Sequence, residues 1–442
     1  MTNNKYKKGD QKLLNAWAVY DWANSAYPLV ISSAVFPIYY GALFFDDLYI
    51  ELLGFNFKNT ALISFLTAFA FVILSFITPL LSGIADYMGN KKTFLKIFCY
   101  VGSLSCMGLY WFDLTNIYIG LSFYFLALIS FWASLVFYNS YLPDIALKHQ
   151  QDYISAKGYA LGYFGSVLLL IFDLAMVMYP ENFGITGENP ELLAMRYSFI
   201  SVGIWWISFS QYSFYFLPDQ KEKKKIIKDV VWNGFKELVE VWNELKKITV
   251  IKKYLIAFFI YSSALQTVLL IAAYFGEQEI NWPNDEKTIG LIVSILLIQL
   301  IAMFGAIMTS KLSEKYGNIY TLVILNIIWA LLCVGGYFIT EPIEFYIAAA
   351  FVGLVMGGIQ ALSRSTFSKM IPQTDNTTSY FSFYDVSQKV SIVFGMTLFA
   401  FADQITGSMR TSILIFVFIF LIGALLLKRI KIKNFKSLWH ET

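Results

Sequence analysis

The chain has 442 residues, 57% of them hydrophobic and 14% charged, with a formal net charge of +3. A soluble domain carries about 25% charged residues, so most of this surface cannot face water and its solvent has to be lipid. The small net charge excludes nucleic acid as a partner, and Cys99, Cys106 and Cys333 lie inside apolar runs without metal-type spacing.

A membrane-crossing helix needs about 20 mostly apolar residues, because lipid offers no water to its backbone polar groups. The first apolar run, from Leu13 to Phe45, contains Asp21, Asn24 and two tryptophans and lacks a small-residue cleavage site, so it reads as a span and not a signal peptide. Continuing along the chain, spans are predicted at 16–44, 60–83, 93–112, 116–142, 156–179, 195–217, 254–276, 288–310, 319–339, 343–368, 379–402 and 410–428. An even number puts both termini on one face. With that face inside, the inner segments hold 28 of the 33 Lys and Arg, and the outer ones only Lys58, Arg196, Lys287 and Arg410. The expected arrangement is an integral multi-pass protein with cytoplasmic termini, in the cell (inner) membrane if the source is bacterial.

In the first span, Trp17, Asp21, Ser25, Pro28 and Ser32 follow one another at steps of four, four, three and four, with Asn24 beside them. That spacing makes one polar stripe on a kink-prone helix. A charge near the bilayer centre costs about 2.5–3.5 kcal/mol, so Asp21 calls for an explanation. Facing a central cavity, it would bind a cationic group or a coupling proton. Near the inner end, it would snorkel or bond another span.

After the second span comes Ser82-Gly83-Ile84-Ala85-Asp86-Tyr87-Met88-Gly89-Asn90-Lys91-Lys92, and the eighth span ends in Ser310-Lys311-Leu312-Ser313-Glu314-Lys315-Tyr316-Gly317-Asn318. The two align without gaps at an offset of 228, and Tyr138–Pro143 aligns with Phe367–Pro372 at 229. Two correspondences at nearly one offset point to a duplicated six-span unit. Each loop sets an acid and a glycine-permitted turn beside basic residues at the membrane face. The acid can accept bonds from a facing helix N-terminus or an Arg, latching the halves together. Asp86, Gly89, Lys91, Lys92, Glu314, Lys315, Gly317 and Arg364, near the inner end of the tenth span, are therefore candidate cytoplasmic gate residues.

Residues 218–253 separate the halves, 1–217 and 254–442. This segment opens on Lys221-Glu222-Lys223-Lys224-Lys225 and repeats apolar residues at Ile227, Val231, Phe235, Leu238, Trp242 and Leu245. Spacings of three and four predict an amphipathic helix on the inner membrane face, with lysines near anionic head groups.

Other polar residues within spans are Asp173, a second proton-site candidate, Gln266 and Gln360, which could bond a solute or another helix, and Asp385 with Lys389 at i and i+4. That pair either neutralises itself for insertion or opens to attract a solute carboxylate. Gly158 and Gly162, like Gly353 and Gly357, have the spacing of close helix packing.

The first loop resembles the signature of the major facilitator superfamily, Gly-x-x-x-Asp-Arg/Lys-x-Gly-Arg/Lys-Arg/Lys, with Ser82 and Tyr87 as departures. A narrower resemblance is to its vacuole-effluxer-like branch, related to autophagy-associated amino acid effluxers. It rests on Trp17-Ala18-Val19-Tyr20-Asp21-Trp22-Ala23-Asn24-Ser25-Ala26-Tyr27, Phe36-Pro37-Ile38-Tyr39-Tyr40, Tyr138-Asn139-x-x-Leu142-Pro143, Lys157–Tyr163, Ser363-Arg364-Ser365 and Phe383-Tyr384-Asp385 with Lys389. Tyr20 and Asn139 thereby join the candidate cavity residues. Where the branch carries Tyr-x-Asp-Gly-x-Gln-Thr, this chain has Tyr261-Ser262-Ser263-Ala264-Leu265-Gln266-Thr267, without the carboxylate. The resemblance implies an all-α major-facilitator-type fold of 12 transmembrane helices in two pseudo-symmetric halves, with a cavity between spans 1, 4, 7 and 10.

The expected function is a secondary active transporter working by alternating access, with proton coupling an open option and amino acid or peptide-like cargo; efflux is what the family resemblance implies, and the residues themselves leave the direction open. A non-transporting receptor or scaffold and a passive facilitator are the alternatives. An enzyme is not expected, since no catalytic motif is present. No cofactor or metal is expected, and the partners are a small-molecule solute, lipid and protons, with the chain a monomer.

Overall fold

The computed structural model describes residues 6–44, 49–52, 54–219, 229–283 and 287–430. Twelve of the described helices are long and apolar enough to cross a membrane. In chain order, spans 1 to 6 are Gln11–Leu43, Ala61–Met88, Lys91–Trp111, Ile117–Ile145, Gln151–Met178 and Pro190–Phe216. Spans 7 to 12 are Thr249–Glu279, Ile289–Tyr316, Asn318–Phe338, Pro342–Met370, Thr377–Thr406 and Met409–Lys428. Most extend past the apolar runs, because the last turns of a helix keep their ladder beyond the hydrocarbon while their side chains turn polar.

Span 1 starts at Asp10, whose carboxylate accepts the Lys12 N–H at 2.8 Å. Its α-helix, Gln11–Asn24, gives way to a π-helical segment, Tyr27–Ala34, and resumes at Val35–Leu43. Pro28 brings no N–H to the ladder, and Ser33 Oγ donates to the Pro28 carbonyl at 2.9 Å. The wider turn rotates the remainder of the span, so the expected polar stripe divides: Trp17 and Asp21 are buried, Ser25 and Pro28 are half-buried, and Ser32 is exposed. A short antiparallel hairpin, β1 (Tyr49–Leu52) and β2 (Phe55–Lys58), joins spans 1 and 2.

Each half has its own core. Trp17, Tyr27, Phe137 and Trp206 belong to one, and Tyr261, Trp329, Phe367 and Phe420 to the other. Large apolar residues such as Phe76, Leu331 and Phe418 point outward, as a lipid-facing surface requires. Within the second half, Gly353 and Gly357 bring span 10 against the Ile298 and Ala302 carbonyls of span 8, where any Cβ would collide with backbone.

On the face opposite the termini, an arginine opening the sixth span of each half fastens that half to itself. Arg196 bonds the Phe112 carbonyl and Asp113, each at 3.4 Å. Arg410 bonds Glu279 Oε2 at 2.7 Å and the carbonyls of Glu279, Tyr337 and Ile339.

The linker carries a helix, Val230–Lys247. Only part of its apolar pattern is packed: Val241 and Leu245 are buried together with Gly234, and Leu238 is half-buried, whereas Val231, Phe235 and Trp242 are exposed. Gly234 sets the contact, since without a side chain it lets the helix backbone meet Gly83 and Ile84 of span 2. Asn233 Nδ2 donates to Tyr87 Oη at 3.1 Å, and Tyr380 Oη of span 11 to Glu244 Oε2 at 2.8 Å, so the helix touches both halves. The Lys221–Lys225 run, Ile227 and the basic tail beyond residue 430 lie outside the described residues.

Candidate functional site at the seam between the halves

Arg364 lies in span 10, two turns before its end, and is 2% exposed. A guanidinium there needs both charge compensation and acceptors for its N–H groups. All come from the first half. Nη2 reaches Asp21 Oδ2 of span 1 at 3.1 Å and the Ser155 carbonyl of span 5 at 2.9 Å. Nε donates to Ser155 Oγ at 2.9 Å, and Nη1 to Asn139 Oδ1 of span 4 at 3.2 Å. Three rings surround the guanidinium, with centroids at 4.2 Å for Tyr159, 4.7 Å for Trp17 and 5.6 Å for Tyr138.

The surrounding sequence builds this cage. Trp17 stacks on Tyr138 at 4.5 Å and donates its indole N–H to the Tyr138 carbonyl at 2.9 Å, fixing span 1 on span 4. Spans 1 and 5 cross at Gly158 and Gly162, where a Cβ would run into Asp21 Oδ2 and Ser25 Oγ. The glycine spacing therefore serves close packing, and it also makes room for the carboxylate.

From the cage, polar contacts extend along the seam both away from and toward the terminus-bearing face. Ser155 Oγ donates to the Ala361 carbonyl at 2.7 Å, and Tyr163 Oη to Gln360 Oε1 at 2.7 Å. Nearer that face, Asp152 pairs with Lys369 and accepts Asn318 Nδ2 at 2.8 Å and Ser313 Oγ at 3.2 Å. Across the seam, Asp86 accepts the Thr378 and Ser379 N–H groups at 3.3 and 2.6 Å, capping span 11. Lys91 pairs with Asp144 and donates to the Ser140 carbonyl and Thr377 Oγ1, each at 3.2 Å. Between described residues, no hydrogen bond joins the halves beyond Tyr163 and Gln360 toward the opposite face.

The other candidates are dispersed. Gly89 ends span 2 at φ +70°, and Gly317 precedes span 9 at φ +88°. Lys92 does not reach the second half, bonding the Leu217 carbonyl at 2.7 Å and Asp219 at the start of the linker at 3.2 Å. Glu314 and Lys315 are exposed. Asp173 sits between spans 5 and 6, where Ser201 Oγ donates to Oδ1 at 2.7 Å and Oδ2 has no partner. Asp385 and Lys389 are buried and pair with each other within span 11. Gln266 is half-buried, and Tyr20 Oη and Asn24 Nδ2 are buried without partners. Sequence reasoning did not single out Ser155, Tyr159, Asp144, Asp152 or Lys369. An acid in the first turn of span 5 and a Lys in the last turn of span 10 both look like ordinary helix ends, and nothing local links residues 217 apart. Among the described residues no His, Cys, Asp and Glu cluster could hold a metal ion.

Twelve spans in two halves closed by an ionic seam define a transporter of the major facilitator type. Solved structures share this fold. The proton:xylose symporter XylE, bound to 6-bromo-6-deoxy-D-glucose, superposes with a TM-score of 0.71 at 13% identity, covering 97% of this chain and 98% of that one. The transporter FucP in its outward conformation gives 0.70 at 12% identity, covering 95% and 99%. By sequence, residues 9–437 match the family described as vacuole effluxer Atg22 like, and the chain belongs to that family of transporters, which are not enzymes. Its relatives include the MFS-type transporter YxiO of Bacillus subtilis, 29% identical over 93% of each chain. Autophagy-related protein 22 of Saccharomyces cerevisiae is 24% identical over 80% of this chain and 74% of its own length.

Proposed function

We propose that the chain is a secondary active transporter that exports a small solute by alternating access, with its termini in the cytoplasm and the described conformation closed on that side. The observation that carries this reading is Arg364, a charge of the second half held entirely by first-half groups. Opening the terminus-bearing face requires drawing that guanidinium out of its cage and releasing the Asp86 and Asp152 latches. A seam confined to one face can open while the opposite face closes, which is rocking about a site between the halves. The halves act as separate bodies, residues 1–217 and 254–442, with the linker helix bearing on both. The excess of Lys and Arg on the terminus-bearing side favours the cytoplasmic assignment.

Amino acid or peptide-like cargo fits a seam whose charges are few and paired, and the effluxer description of the family favours export. Asp21 is the coupling acid in this scheme, because its protonation weakens the hold on Arg364. A thermal-shift screen of purified protein against amino acids, dipeptides, sugars and nucleosides finds candidate cargo, since only ligands of the folded state raise its stability. Counterflow of the labelled hit in liposomes then tests the reading. Exchange is the expected result, and binding without exchange by any solute makes the chain a receptor.

A further inference from the structure

We infer that the cage around Arg364 is a binding site for the cationic group of the solute, and that Arg364 is its tethered occupant in the closed state. The inference rests on the transport reading and names the chemistry of the cargo. Trp17, Tyr138, Tyr159, Asp21, Asn139 and Ser155 all belong to the first half, so the cage stays assembled when span 10 withdraws. What it then offers is specific. The groups that bond the guanidinium are the Asp21 carboxylate, the Asn139 Oδ1, the Ser155 carbonyl and the Ser155 hydroxyl, every one of them accepting from it. Ring faces at 4.2, 4.7 and 5.6 Å complete the enclosure. Acceptors and ring faces around one carboxylate suit a flat or compact N–H cation, a guanidinium or a protonated amine, and repel a carboxylate. A buried Asp21 left without a cation is unfavourable, so the departure of Arg364 draws another positive group in. Gly158 keeps the space beside Asp21 open, since a Cβ there would also approach Arg364 Nη2 to 3.1 Å.

The occupant competes with the ligand, so removing it exposes the site. In full-length protein in nanodiscs, Arg364→Ala should bind methylguanidinium at least about tenfold more tightly than the unchanged chain, which has to withdraw its own guanidinium first. The neutral isostere methylurea should show no such gain. Adding Asp21→Asn to Arg364→Ala should abolish it. Equal methylguanidinium affinity in the variant and the unchanged chain, or an equal gain for methylurea, overturns the inference. A second arm needs no variant: counterflow of labelled agmatine in liposomes of the unchanged protein. Exchange of agmatine supports the inference. Exchange of only neutral or anionic solutes overturns it and leaves the transport reading standing. A variant that gains methylguanidinium affinity in a protein that exchanges no solute supports the cage as a cation receptor and overturns the transport reading.

Discussion

Asp86 and Glu314 hold matching places in the two halves, 228 residues apart, yet Asp86 is fully buried and Glu314 is exposed. The difference lies in what each loop faces. Asp86 looks onto the first turn of span 11, whose free N–H groups need an acceptor and whose dipole favours negative charge. Glu314 follows Ser313, whose hydroxyl bonds Asp152 in the first turn of span 5. That turn already carries a carboxylate, and a second one would be repelled. The second latch therefore has reversed polarity: the acid comes from span 5 and the cation, Lys369, from span 10. In span 11 the position matching Asp152 is Tyr380, so no acid opposes Asp86. A duplicated loop thus kept a glycine at positive φ, though not the same turn, while its charge moved to the partner helix.

This contrast can be broken most severely at Asp152. Asp152→Ala removes the carboxylate that pairs with Lys369 and accepts from Asn318 and Ser313, and should destabilise the closed seam by about 3–5 kcal/mol. A fall in Tm and faster alkylation of a cysteine placed at Thr366 would register it. Asp86→Ala removes two charge-assisted bonds and a dipole contact, a loss of about 1.5–3 kcal/mol, with Asp86→Asn milder because an acceptor remains. The same alkylation assay, with the cysteine at Thr378, ranks the two. The loop glycines test whether shape persisted. Gly317→Ala, at φ +88° and ψ 150°, should cost about 1–3 kcal/mol, and Gly89→Ala, in an ordinary left-handed cap, about 1–2. Thermal unfolding of both variants would separate them. Glu314→Ala should stay within about 0.5 kcal/mol in the same measurement. A loss as large as that of Asp86→Ala would mean that Glu314 acts as a latch in another conformation.

Span number and the duplicated halves were legible because hydropathy and a repeated motif act within a window of the chain. The bonds of the site were less so. Asp21 and Arg364 each stand out as charges near apolar runs, but their local settings point Arg364 to the gate and Asp21 to the cavity. Only tertiary packing places one upon the other, 343 residues away. Ser155 gives no signal, and Tyr159 stands out only as part of the Lys157–Tyr163 string, since an aromatic and a serine are common in membrane helices and nothing local aims either at Arg364. The linker helix shows a different limit. Periodicity locates it, but Leu245 and Val241 share the packed face with Gly234, a glycine that a pattern of apolar residues does not count, while Val231, Phe235 and Trp242 of the pattern stay exposed.

The distance between Asp21 and Arg364 also bears on how the protein is made. Lys389 and Asp385 are one turn apart and enter the membrane as a neutral unit, whereas Asp21 arrives with the first span and its guanidinium nine spans later. At about 5–20 residues per second of synthesis, the carboxylate waits roughly 20–70 s for its partner. The nascent first half must shelter an unmatched acid for that interval, so a ribosome stalled between the halves would leave the chain at its most vulnerable to quality control.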